Sequence, residues 1–233
     1  MAGSGFGTNF RITTWGETHG AGVGVVVDGC PAGLPLERED VQKYLDRRKP
    51  GQSKYTTQRK EGDQVEILSG IFEGRTTGTP ISMVVYNKDQ RSKDYSNIKD
   101  IYRPGHADFT FDMKYGFRDY RGGGRSSGRE TIGRVAAGAV AAKVLKELGI
   151  EIKAYAKAIA GIEVSKDHFD FAEMNNNPFN MPDKEAAKLV QEKADQMIKE
   201  MDSIGGIIEC QITGMPVGIG ETVFDKLDAE LSK

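Results

Sequence analysis

Cysteine is scarce in this 233-residue chain, which has only Cys30 and Cys210, far apart and in no metal-ligand or redox spacing. Such usage argues against a disulfide scaffold and a cysteine-held metal centre, and reads as two reduced, structural thiols in a cytoplasmic protein. No apolar run is long enough to cross a bilayer. The opening Met1-Ala2-Gly3-Ser4-Gly5 has no basic patch followed by an apolar stretch, so no secretory signal is read there. Histidine is rare too, at three residues. Arginine is missing from the last part of the chain, all thirteen lying at or before Arg134. Residues 1–150 therefore carry 23 Lys and Arg against 18 Asp and Glu, whereas residues 151–233 carry 9 lysines against 16 acids. Arginine suits forked binding of carboxylate and phosphate, so the first part is the place to look for an anion site. With 38% hydrophobic and 28% charged residues, the chain can bury one sizeable core or two small ones and is not a disordered segment.

Hydrophobic periodicity predicts strand, turn and strand over residues 10–28, with the β-branched run Val23–Val27 after a glycine-rich turn. A helix is predicted over residues 37–48, with Glu37, Glu39 and Asp40 in its first turn. Strands follow at Val65–Leu68 and Ile81–Tyr86. Residues 87–125 show little periodicity, but seven Phe and Tyr side chains argue for a functional loop rather than disorder. The clearest helix spans about residues 127–148. Ser127 and Glu130 have capping-box spacing and Gly149 stands at its end. Its interior is crowded with glycine and alanine, which lets neighbours approach closely and places it in the middle of the fold. A strand at 151–160, a helix at 183–202 with Leu189, Val190, Met197, Ile198 and Met201 on one face, a strand at 204–213 and a terminal helix from Phe224 complete the reading.

Four segments could carry chemistry. In Gly16-Glu17-Thr18-His19-Gly20, glycines on both sides of a histidine expose backbone to a ligand, although a turn histidine without a role reads as well. In Arg103-Pro104-Gly105-His106-Ala107-Asp108, a histidine near an arginine and an aspartate is placed to protonate an anionic leaving group, against the plainer reading of a loop salt bridge. Arg121-Gly122-Gly123-Gly124-Arg125-Ser126-Ser127-Gly128-Arg129-Glu130 feeds a helix N-terminus with free N–H groups and hydroxyls, an anion cradle that can coexist with capping. It is not a Walker A loop, because Arg129-Glu130 stands where Lys-Ser/Thr is required. The fourth segment is the cationic stretch Arg47–Lys54, continuing to Arg59-Lys60. It has a single aromatic, Tyr55, which is weak support for nucleic-acid binding. His168 reads as ordinary surface.

Taken together these segments resemble the chorismate synthase family. Gly16–Gly20 with Asp28-Gly29-Cys30-Pro31-Ala32-Gly33-Leu34-Pro35-Leu36 is similar to the family's opening motif, Arg103–Asp108 to its central histidine motif and Asp119–Thr131 to its glycine-arginine motif. Shorter matches are Asp46-Arg47-Arg48, Tyr55–Arg59, Asp89–Ser92 and Asp94–Ser96. Thr18 stands where the family usually has Ser, and Lys54 where it often has Arg. The resemblance implies an α+β fold, a helical layer between two antiparallel sheets, in a homotetramer. It implies anti-1,4-elimination of phosphate from 5-enolpyruvylshikimate 3-phosphate to give chorismate, using reduced FMN, with NADPH as reductant in bifunctional members. It places His19 near the flavin and makes His106 the proton donor to the departing phosphate. Arg125, Ser126 and Ser127 fall on flavin-binding positions, and Arg48 and Lys54 on positions that bind substrate or NADPH. No metal, nucleic-acid or membrane partner is implied. Family chains continue beyond Lys233, so residues 1–233 are expected to form one domain cut short at its C-terminal end. The other readings are a phosphate- or nucleotide-binding protein using the Gly122–Gly128 loop, and an RNA-binding module using the arginine-rich part.

Overall fold

The computed structural model describes residues 3–56, 61–88 and 98–232. The chain divides into two compact units, residues 1–144 and 145–233. In the first unit lie β1 (Gly5–Phe6), β2 (Arg11–Gly16), β3 (Gly22–Asp28), α1 (Arg38–Arg48), β4 (Val65–Ile67), β5 (Ile71–Phe72), β6 (Arg75–Thr76), β7 (Ile81–Tyr86) and α2 (Asp108–Tyr115). The unit boundary falls near the end of α3 (Thr131–Glu147). The second unit contains β8 (Glu151–Ile159), β9 (Ile162–Glu163), α4 (Lys184–Glu200), β10 (Gly206–Thr213) and α5 (Leu227–Ser232). Every described strand pair is antiparallel, so the class is α+β, as expected.

The first sheet has the order β1-β2-β3-β7-β4. Alternation decides what it buries. Val23, Val25 and Val27 of β3 stand opposite Val85, Met83 and Ile81 of β7, and all six are buried. That face packs with Val41 and Leu45 of α1 and with Ile132, Ala136 and Val140 of α3 in one core. Full burial of each large apolar side chain contributes about 1.5–3 kcal/mol. α1 starts where the sequence predicts: the Glu37 N–H donates to Asp40 Oδ2 at 3.0 Å, and Lys143 of α3 pairs with the same carboxylate.

The small residues of α3 act as expected on one side. A Cβ at Gly133 would lie 2.9 Å from the Thr14 methyl and 3.1 Å from the Gly24 carbonyl oxygen, so the helix backbone approaches β2 and β3 closely. The predicted capping box is corrected. Ser127 Oγ accepts from the Arg129 N–H at 3.3 Å, but Glu130 does not reach back. Thr14 and Arg134 draw its carboxylate away, at 2.7 and 2.8 Å. Two 3-10 turns, Gly124–Ser126 and Gly128–Glu130, therefore lead into α3. Within residues 87–125 the structure forms α2, which the weak periodicity of Asp108–Tyr115 did not reveal.

In the second unit the order is β10-β8-β9. Asp183 caps α4 by accepting from the N–H groups of Glu185 and Ala186 at 2.9 and 3.0 Å. The buried face of α4 differs from the expected one. Ala186, Ala187, Val190 and Ala194 are buried, while Leu189, Ile198 and Met201 are exposed. Alanine lets the helix settle closer against its unit than leucine would, which rotates the larger side chains outward.

Two glycines of α3 separate packing from propensity. Gly133→Ala should lower stability despite the better helix former, because the new methyl meets Thr14 and Gly24. At Gly138 nothing lies within 4 Å of an added Cβ, so Gly138→Ala should gain about 0.8–1 kcal/mol. Urea unfolding of the two variants checks the opposite signs.

Candidate functional site

The three glycine-flanked motifs converge in the first unit. Gly122, Gly123 and Gly124 have φ of 62°, 83° and 53°, a left-handed run that glycine alone adopts without strain. A Cβ at Gly122 would lie 2.4 Å from His19 Cδ2, so the glycine lies directly against the imidazole. A Cβ at Gly123 would lie 3.9 Å from the Arg103 guanidinium. Two consecutive glycines of the third motif thus contact the first motif and approach the second. His19 is buried, at 7% exposure. Beside it the Thr18 hydroxyl is buried without a hydrogen-bond partner among the described residues. Asp119 is held below the usual carboxylate range, chiefly by hydrogen bonding to Arg121 and also by the charge of His19.

His106 is exposed, and its Nδ1 lies 3.0 Å from the Pro104 carbonyl oxygen. A carbonyl only accepts, so Nδ1 carries the proton of this bond and Nε2 is the nitrogen left for a second partner. The expected salt bridge is there as well: Arg103 Nε and Nη2 donate to the two oxygens of Asp108 at 2.8 and 2.9 Å. Arg118 Nη1 stands 3.4 Å from the same carboxylate. Hydrogen bonding from Arg103 holds the Asp108 carboxyl down to about 2. The forked face of Arg103 is thus committed to Asp108.

The remaining candidates divide between two tasks. Arg125 reaches back to β2, donating to the carbonyls of Gly16 and Thr14 at 3.1 and 3.2 Å and to the Thr14 hydroxyl at 2.6 Å. Ser126 Oγ donates to the Gly123 carbonyl at 2.7 Å, tightening the loop. Arg48 donates to Asp63 at 2.9 Å and to Thr131 Oγ1 and the Gly128 carbonyl at 3.2 and 3.3 Å. Lys54 Nζ lies 5.1 Å over the Tyr55 ring. Thr57–Arg59, Asp89–Ser92 and Asp94–Ser96, which carried part of the resemblance, lie outside the described residues.

A cleft of ≈ 930 Å³ opens beside the loop. Phe111, Tyr115, Phe117 and Tyr120 line it together with Arg118 and Arg121. The aromatic faces suit a planar ligand, while Arg118 is paired with Asp108 and Asp112 and Arg121 with Asp119, and Glu17, Asp119 and Glu130 also line the cleft. The aromatic lining of the cleft is compatible with the planar ring system of the flavin that the resemblance implies. Among the described residues, no three His, Cys, Asp or Glu side chains are grouped to hold a metal, and no helix is long and apolar enough to cross a membrane.

Sequence reasoning missed the polar groups behind the site. Asp63 is buried and accepts from both Arg48 and Arg129 at 2.9 Å. Arg129 donates to Asn87 Oδ1 at 2.7 Å. No local pattern marks these residues. Asp63 follows a glycine in a polar stretch and resembles any surface aspartate.

The sequence profile of the family described as chorismate synthase matches residues 10–233. Chorismate synthase of Lachnospira eligens is 69% identical over the whole chain, and that of Agathobacter rectalis 63%. This chain spans 64% of the length of each relative. A crystal structure of chorismate synthase, 30% identical, superposes with a TM-score of 0.72 over 92% of this chain and 60% of the other.

The Asp108 pair sets a pH dependence. A carboxyl whose pKa is depressed from 3.8 to about 2 stabilises the fold above pH 3.8, and this contribution is lost as pH falls through 2. Wild type should therefore lose about 2 kcal/mol more than Asp108→Asn between pH 5 and pH 2, by urea unfolding.

Proposed function

The chain belongs to the chorismate synthase family, and from that membership we propose that the protein carrying it eliminates phosphate from 5-enolpyruvylshikimate 3-phosphate to give chorismate. Convergence of His19, the Gly122–Gly124 run and the Arg103–Asp108 loop carries this reading. The substrate bears a phosphate and two carboxylates, and the arginine-rich first unit supplies complementary charge. Bound reduced FMN supplies an electron-rich partner for the elimination and undergoes no net redox change. Arg125, Ser126 and Ser127, with the glycine run, would hold it, and the aromatic cleft would exclude water from it. Arg125 and Ser126 act chiefly by fixing the loop, since their polar atoms are bound to Gly16, Thr14 and Gly123.

Buried His19 would lie beside the flavin and favour its anionic reduced form. Protonated on both nitrogens, His106 would donate from Nε2 to the departing phosphate while its Nδ1–H keeps donating to the Pro104 carbonyl. Two bonds break: the C–O bond, whose electron pair stays on the phosphate oxygen that His106 protonates, and a C–H bond at the 1,4-related ring carbon, whose pair forms the new double bond while its proton would pass to a base that bound reduced FMN would supply. Arg48 and Lys54 would bind the anionic substrate, or NADPH where that is the flavin reductant. The same reading carries a homotetramer and a cytoplasmic setting, with which free Cys30 and Cys210 accord.

The test is phosphate release from 5-enolpyruvylshikimate 3-phosphate with chemically reduced FMN. Its absence in the protein carrying this chain at the length of its relatives would refute the reading. His106→Ala should cut turnover about a hundredfold to ten-thousandfold while keeping substrate binding. Wild-type turnover in that variant would remove His106 from the chemistry.

Arg48→Ala should weaken substrate binding by about 1.5–3 kcal/mol, and flavin binding less. It also takes one partner from buried Asp63, so the calorimetric titration is paired with an unfolding curve. Unchanged substrate affinity would rule out Arg48 as a ligand contact.

A further inference from the structure

Asn87 follows β7 directly and touches none of the residues proposed to do chemistry through their side chains. Its own side chain nevertheless spends all of its hydrogens. Oδ1 accepts from Arg129 Nε at 2.7 Å. Nδ2 donates to the Glu17 carbonyl at 2.8 Å and to the Gly20 carbonyl at 2.9 Å. The backbone N–H of Asn87 donates to the Ala21 carbonyl at 3.1 Å. A guanidinium has only donors, so Arg129 dictates which end of the amide faces it. The amino end must then face the two carbonyls, and those carbonyls bracket Thr18 and His19.

Arg129 is itself fixed. Its side chain is 5% exposed, and it donates to Asp63 at 2.9 Å and stands 3.7 Å from Glu61. A rigid cation thus orients a neutral amide, and the amide clamps both ends of a turn that has glycine on either side. From these contacts we propose that Asn87 is a positioning residue, holding the Glu17–Gly20 turn so that the His19 imidazole stays against Gly122. Its relevance to catalysis rests on the role proposed for His19, but its structural content does not. No other residue type fits as well. Aspartate would keep an acceptor for Arg129 but put a second oxygen against two carbonyls, and alanine would lose all three side-chain hydrogen bonds.

With only three histidines in the chain, selective ¹⁵N-histidine labelling reads each imidazole separately. His168, in the second unit, is the internal reference. In Asn87→Asp and Asn87→Ala the His19 ring signals should shift or broaden, while those of His168 keep their wild-type positions and thermal unfolding stays cooperative. Should either variant fail to fold, Arg129→Lys, which keeps a cation but loses the fork, should give the same His19 change. Wild-type His19 signals in whichever variant folds would overturn the proposal. In turnover assays kcat should fall up to about a hundredfold with KM little changed, as for a displaced catalytic group. The two inferences fail separately. A protein with no phosphate release but a perturbed His19 in Asn87→Asp refutes the elimination reading alone. A protein with normal release and an unperturbed His19 refutes the clamp alone.

Discussion

A single buried carboxylate organises the site side of this fold. Asp63 is 2% exposed and accepts from Arg48 through one oxygen and from Arg129 through the other. A charge taken out of water is tolerated only where partners restore what the solvent gave, and removing one partner of such a pair costs about 3–5 kcal/mol. Asp63 also lies in the left-handed region, at φ 42°, which aspartate tolerates better than most residues. From this point one arm runs to the end of α1 through Arg48, and the other through Arg129 to Asn87 and the histidine turn. The Arg48 end of the cationic stretch and the buried histidine are thus tied to a common anchor.

Close backbone approach is the second constraint, and it is made of glycine. At Gly122 the loop lies against His19, and at Gly133 α3 lies against β2 and β3. The two contacts are connected through Thr14, which meets Gly133 on one side and binds Arg125 and Glu130 on the other. Arg125 therefore couples the glycine loop to the sheet that carries the histidine turn.

Much of the fold was legible because its signals are local. Alternation of Val23, Val25 and Val27 fixes the buried face of β3, and β2, β3, α1, β7, β8 and β10 lie close to where periodicity puts them. The failures share a cause. Glu130 has capping-box spacing, yet Thr14, distant in sequence, binds its carboxylate. The large residues of α4 form an apolar stripe, yet alanines face the core because close approach outweighs side-chain size. The short α2 carries its helix ends in Asp108 and Gly116 but too little periodicity to be read in advance.

For the site, the sequence alone determined which residues are chemically able: two histidines flanked by glycine, a glycine-arginine loop and a concentration of arginine. Those properties depend on residue type and immediate neighbours, and no fold is needed to state them. Tertiary structure decided which of these groups are bound into the scaffold. Arg125 turned toward Gly16 and Thr14, and Arg48 toward Asp63. A guanidinium binds whichever carboxylate or carbonyl the fold brings within about 3 Å. That partner is set by contacts tens of residues apart, which no local pattern records.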